Sequence, residues 1–322
     1  MRRIVSLLFP LGAAFALANI AAAQDLPQGV TLLRGTFVPN VQPDGNSTLL
    51  AAPEGLIAID TGRHAAHTER LLDSARQQQR PIVAVINTHW HLDHIGGNGR
   101  VRDAYPGVTI YASGALADAR KGFLANYRAQ LEDAIAHASD AAQIQAWREE
   151  IALIDAAPRL APDHVIARTE TPRIAGKPLE LHLAAHSVTA GDVWVYAPTE
   201  RVLIAGDLVT LPVPLFDTAC PAQWQKSLAE LDRVKFARLI PGHGPALDHA
   251  QFRTYRQAFD KLLACSASAA EKNTCIDGWV HDAQTLLPES ERAFARQLLD
   301  YYVDNSLRAP VQKTAALCAA AT

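Results

Sequence analysis

The chain has 322 residues and a formal net charge of −3, with 49% hydrophobic and 20% charged residues. A length of that order buries a sizeable core in one large domain or two, and the composition is that of an ordinary globular protein. No Lys/Arg run occurs beyond the first three residues, so there is no electrostatic case for a nucleic acid or an anionic membrane as partner.

The N-terminus has the layout of a secretory signal peptide over residues 1–23. Arg2 and Arg3 open it, an apolar run from Ile4 follows, and Ala21-Ala22-Ala23 close it before Gln24. The sequence therefore predicts a periplasmic or secreted protein with no stable membrane insertion after cleavage. A retained membrane anchor is the alternative, disfavoured by Pro10, Gly12 and the small residues at the end.

Strand signals come next. "GVTLLRGTFV" and "STLLAAPEGLIAID" are β-rich and broken by turns at Pro43-Asp44-Gly45 and Pro53-Glu54-Gly55. "HAAHTERLLDSARQQQ" carries apolar residues at helical spacing, and "PIVAVINT" is an apolar run of strand length, hence a buried strand. "VTIYAS" is another short strand. Residues 115–157 are rich in Ala, Glu and Arg without an internal Pro, and predict two or three amphipathic helices. "LELHLAA", "DVWVYAP", "RVLIAG" and "ARLIPG" return to strand, with the helix "CPAQWQKSLAELDRV" between the last two. From Gln251 onward the chain reads as helix. Two similar sets of alternating strands and helices predict two mixed sheets packed face to face with helices outside. The expected organisation is a domain over 24–250 with a helical insert at 115–157, then a helical extension over 251–322.

Chemistry concentrates in "NTHWHLDHIGG". His89, His91, Asp93 and His94 fall within six positions just past the buried strand, although the chain has only 12 histidines. His89 and His91 lie two apart and share a side in extended chain, and Asp93 and His94 follow where the chain turns toward Gly96-Gly97. An exposed polar turn is the alternative reading. Imidazole and carboxylate together suit zinc, iron or manganese better than magnesium or calcium. The pattern recurs: His186 follows one apolar strand, Asp207 follows another in Gly-Asp, and His243 a third in Gly-His-Gly. Singly, these would be a structural histidine, a helix cap and a turn residue; together they place candidate ligands at strand ends meeting on one sheet edge. Trp90, Phe123, Tyr127, Phe216 and Trp224 are candidates for a pocket lining, against ordinary packing. No G-x-S-x-G, P-loop or H-E-x-x-H motif is present.

These motifs, His89-x-His91-x-Asp93-His94, then His186, Asp207 and His243, resemble those of the metallo-β-lactamase fold superfamily from about Val30 to Leu247. The resemblance implies an α/β fold, an αββα four-layer sandwich, with a dinuclear site, two Zn2+ per chain by default and iron or manganese in the same positions. By resemblance, His89, His91 and His186 hold the first metal, Asp93, His94 and His243 the second, and Asp207 bridges them. It further implies a hydrolase acting on a small molecule (an ester, lactone, thioester or lactam) through a metal-bridging hydroxide, with Asp93 as proton acceptor. Members resembling true β-lactamases usually carry Cys or Ser where Asp207 stands. Aspartate resembles the glyoxalase II-like, lactonase-like and phosphodiesterase-like branches instead, without excluding lactam or phosphodiester cleavage. Export argues against a glutathione thioester. The stretch around His186 resembles exported members found beside quinoprotein dehydrogenases. A non-catalytic zinc-binding or metal-delivery protein is the alternative from another class, although the mobile His-rich tail common in delivery proteins is missing.

All four cysteines, Cys220, Cys265, Cys275 and Cys318, lie in the C-terminal third. Export favours disulfides, and none sits in a C-x-x-C pair. Of three pairings the short spacing favours Cys265–Cys275, leaving Cys220–Cys318, and four packed thiols are the alternative.

Overall fold

A computed structural model describes residues 26–36 and 42–319. The signal-peptide layout of residues 1–23 lies outside these. Two sheets face each other. The first has six strands: Val30–Leu33, Ser47–Ala52 and Gly55–Ile59 form an antiparallel meander. Ile82–Ile86, Thr109–Ala112 and His164–Val165 then add in parallel. The second has four strands in the order Arg238–His243, Val202–Thr210, Gly191–Ala197, Glu180–Ala185, the first pair parallel and the others antiparallel. A two-stranded ribbon, Arg173–Ile174 with Lys177–Pro178, and the strand His164–Val165 were not foreseen; two residues carry too little alternation to read.

Strand alternation builds the layers. Ile57, Ile59, Ala84 and Ile86 of the first sheet meet Val193, Val195, Val202, Ile204 and Ile240 of the second in the central core. Their neighbours Leu56, Ala58 and Val85 point outward onto the helices Ala65–Gln77 and Asn98–Ala104, where Leu71, Leu72 and Val101 receive them. Trp194, Leu203, Ala205 and Leu239 point outward from the second sheet onto Trp224, Phe252, Tyr255, Phe259 and Trp279. Those residues belong to the helices Pro221–Leu231, His249–Ser266 and Lys272–Asp282, which Glu289–Tyr302 joins. The four layers are thus helix, sheet, sheet, helix. No described helix is long and apolar enough to cross a membrane.

The stretch expected to form two or three helices forms three, Leu116–Lys121, Phe123–His137 and Ala141–Asp155, with a further single turn, Ala157–Leu160, at its end. Gly122 and the Asp140 cap, which accepts from the amides of Ala142 and Gln143, divide them. Leu116, Leu124, Leu131, Ile154 and Leu160 make a small core of their own with Trp90, Leu92 and Ile95. At the other end, Cys220 pairs with Cys318 and Cys265 with Cys275. The first bond ties the last helix, Val311–Cys318, to the start of Pro221–Leu231.

Candidate metal centre

The site lies along one edge shared by both sheets. After Ile86 the chain leaves its strand, runs through His89 and His91, and winds one helical turn, Leu92–Ile95, carrying Asp93 and His94. His243 is the last residue of its strand. Asp207 departs from the expectation of a residue beyond a strand end. The strand continues to Thr210, with a register shift at Gly206, whose φ of +54° only glycine tolerates easily; a Cβ there would stand 2.6 Å from Thr88. The bulge turns Asp207 toward the first sheet's histidines.

Two groups of donors converge, each with its atoms within 4.8 Å of one another: His89, His94 and Asp207, and Asp93, His94 and His243. All five residues are buried. The carboxylate of Asp207 straddles the groups. Its Oδ2 is 3.6 Å from His89 Nε2, and its Oδ1 is 3.1 Å from His94 Nε2 and 3.5 Å from His243 Nε2. Asp93 Oδ2 is 3.0 Å from His243 Nε2. His91 and His186 stand outside both groups. His91 Nε2 lies 2.8 Å from Thr218 Oγ1, and His186, at φ +56°, turns Nδ1 to within 3.3 Å of the Leu317 carbonyl.

These bonds assign the protons on four rings. Asp60 Oδ2 accepts from His94 Nδ1 at 2.8 Å and from Thr88 Oγ1 at 2.7 Å. With its hydrogen committed to Asp60, the Thr88 hydroxyl can only accept from His89 Nδ1, 3.0 Å away. Thr218 Oγ1 donates to the Val188 carbonyl at 2.8 Å and so accepts from His91 Nε2. A carbonyl can only accept from His186 Nδ1. Lone pairs remain on Nε2 of His89, Nδ1 of His91 and Nε2 of His186. In the metal-free chain Nε2 of His94 carries a proton, which an ion can displace.

The electrostatics call for a cation. Burial alone would raise the Asp93 carboxyl, but His94, His243 and Arg63 outweigh it and hold it well below the usual carboxylate range. Asp207 is likewise held low, against burial, by His94, His243 and His89. Burial opposes a charge on His94, yet Asp207, Asp93 and Asp60 keep its ring protonated far above the ordinary imidazole range. His89, driven by burial and by the charge of His94, goes the other way. Nε2 of His89 and Oδ2 of Asp207 are buried without a hydrogen-bond partner among the described residues. Orphaned donors of this kind fit a metal ion that replaces a proton between two carboxylates.

Some contributors escaped the sequence reading. Asp60 follows the strand Gly55–Ile59 and precedes Thr61-Gly62, the same strand-end signature as the other candidates, so it was within reach. Arg63, Thr88 and Thr218 carried no signal of their own. The Arg63 guanidinium lies 3.6 Å from Asp93 Oδ1 and pairs closely with Glu150 of the insert. Of the aromatic candidates, Phe216 and Trp224 are fully buried behind the second sheet, because Trp224 Nε1 donates to the Leu208 carbonyl and its ring packs on Phe259. Trp90 is buried in the insert's core, Phe123 is 44% exposed, and the Tyr127 hydroxyl meets Gln42.

Parts of the chain are similar in sequence or fold to known proteins. A linear primary-alkylsulfatase from Pseudomonas sp. is 27% identical over 217 residues, 61% of this chain. A hydroxyacylglutathione hydrolase from Gloeobacter violaceus is 42% identical over 60 residues, 15% of this chain. The matched regions span 40% and 23% of those relatives' lengths. A metallo-beta-lactamase from Pontibacter korlensis superposes with a TM-score of 0.54 at 23% identity, covering 73% of this chain and 96% of that one. Residues 42–268 match the family described as the metallo-beta-lactamase superfamily, and with the sandwich and the donor set in place the chain belongs to it.

Proposed function

We propose that this chain is an exported hydrolase with a two-ion metal centre that cleaves a small ester, lactone, thioester or lactam. The observation that carries the reading is Asp207, whose two oxygens face different donors, His89 on one side and His94 and His243 on the other. His89, His91 and His186 would hold one ion and Asp93, His94 and His243 the other, with Asp207 between them. Nitrogen and carboxylate donors favour zinc, with iron or manganese as the substitutes. Bound ions would supply Lewis acidity toward the scissile carbonyl and acidify water.

The chain's own residues do the rest. Asp60, Thr88 and Thr218 fix the imidazoles, and Asp207 keeps its charge between the two donor groups. Asp93 stays ionised and is the carboxylate placed to take a proton, while Arg63 steadies its other oxygen. Export is supported by the layout of residues 1–23 and by two disulfides. A second reading, sulfate-ester cleavage, is favoured by the resemblance to a linear primary-alkylsulfatase.

The test is elemental analysis of protein purified without chelators, followed by turnover of an aryl ester, a lactone, a thioester, a cephalosporin, a phosphodiester and an alkyl sulfate. Two ions per chain and chelator-sensitive cleavage of an ester class are expected. Two tightly held ions with no turnover across the panel would favour a metal-binding or delivery protein, and a single ion under metal-replete conditions would remove the dinuclear claim.

A further inference from the structure

The Cys220–Cys318 bond joins the two segments that hold His91 and His186. Thr218, two residues before Cys220, accepts from His91 Nε2 at 2.8 Å and donates to Val188 in the loop after His186. The Cys220 amide donates to the Ser187 carbonyl, next to His186, at 2.8 Å. Leu317, one residue before Cys318, presents its carbonyl to His186 Nδ1 at 3.3 Å. Two side chains that leave the main donor groups are thus both engaged by chain converging on one disulfide.

We propose that the C-terminal helix, pinned by Cys220–Cys318, is a positioning element for His186, its Leu317 carbonyl selecting the ring form that leaves Nε2 available to an ion. The proposal rests on the metal-centre reading above. His186 is half-buried and its backbone is in the left-handed region, so the loop alone does not fix the ring. A backbone carbonyl can only accept, and therefore selects the form with the proton on Nδ1. An oriented imidazole binds an ion better than one free to rotate or change tautomer, and loss of such an orienting partner typically weakens metal affinity about 10–100-fold. At the end of that helix Leu317 is half-buried and Cys318 exposed. The covalent tie to buried Cys220 keeps the carbonyl at the ring. Full loading of the site is thereby tied to an oxidised chain.

The experiment compares wild type, Cys220→Ser/Cys318→Ser and Cys265→Ser/Cys275→Ser. The last removes the other disulfide, which lies among the C-terminal helices and carries no bond to a candidate ligand. In the metal-free proteins, ring 15N shifts of His186 are expected to show the Nδ1-protonated form in wild type and in the control. The Cys220→Ser/Cys318→Ser chain should show exchange between the two neutral forms. On titration with Zn2+ against a chelator, that variant should hold one ion as wild type does and bind the other about 10–100-fold more weakly, with the control unchanged. An unaltered His186 ring signal together with wild-type affinity for both ions would overturn the proposal, whether or not the tail stays docked. Failure of wild type itself to take up two ions would instead count against the metal-centre reading, since the ring signal is read without metal.

Discussion

Asp60→Asn isolates one buried carboxylate from everything around it. Asp60 sits at φ +60°, a region asparagine tolerates nearly as well as any non-glycine residue, so backbone strain is not added. Three donors converge on its two oxygens: Thr88 N at 2.8 Å on Oδ1, and Thr88 Oγ1 and His94 Nδ1 on Oδ2. An amide offers one oxygen and one NH2. In either orientation a donor faces a donor in a region where Asp60 is 2% exposed. A buried donor left without an acceptor costs about 1–3 kcal/mol, and the lost charge-assisted bond to His94 is of similar size. The His94 ring is then free to invert, and its Nε2 no longer points at Asp207. Affinity for the ion that uses His94 should fall about 10–100-fold. The assay is chelator competition on the purified variant, with circular dichroism to establish that the fold persists. A variant with wild-type fold and metal affinity within twofold of wild type would refute the claim that Asp60 orients this ring.

Asp207→Asn, which keeps shape and loses charge, should lower retention of at least one ion and reduce hydrolysis about a hundredfold or more; elemental analysis and turnover measured together decide. Gly45→Ala would put a Cβ 2.5 Å from the His94 ring, whose other side Asp60 holds. Overpacking of about 1–3 kcal/mol should appear as a lower melting temperature and weaker metal binding. His67, buried beside Ser47, is pushed down to about 4, by burial first. Its folded value lies below the unfolded one, so stability is full above about pH 6.5 and is lost as pH falls toward 4. Urea unfolding with chelator present should lose about 2 kcal/mol between pH 7 and 5 from this group, a component missing in His67→Gln.

The strands and their alternation were legible because both sheets are buried on both faces and their runs are continuous or strictly two-periodic. Ile57 and Ile59 inward with Leu56 and Ala58 outward is a pattern a sequence can carry. The motif from His89 to His94 was legible because it is local. Asp207 was readable as a candidate but not as the middle of a strand, since the bulge at Gly206 depends on the neighbouring Pro241 and Thr88. Thr88 ties His89 to Asp60, Thr218 ties His91 to Val188, and the Leu317 carbonyl meets His186, through hydrogen bonds that neither composition nor spacing encodes. Phe216 and Trp224 stayed open between pocket lining and core packing because an aromatic in sequence reads the same in either place; both pack in the core.

The insert and the ligand motif share side chains in a way that limits how either can be exchanged. Along His89 to Ile95, His89, Asp93 and His94 face the converging donor groups, while Trp90, Leu92 and Ile95 are built into the core of residues 116–160. A graft replacing the insert with a short connection would leave an indole and two branched aliphatic side chains facing water, on the same seven residues that aim His89, Asp93 and His94. Such a chimera would have to redesign the outer face of the motif before its inner face could be trusted. A homologue's insert transplanted here would have to bring matching sockets for those three side chains. Exchange of this insert is therefore constrained by the motif it packs on, and stays open only at residues of the insert that do not touch Trp90, Leu92 or Ile95.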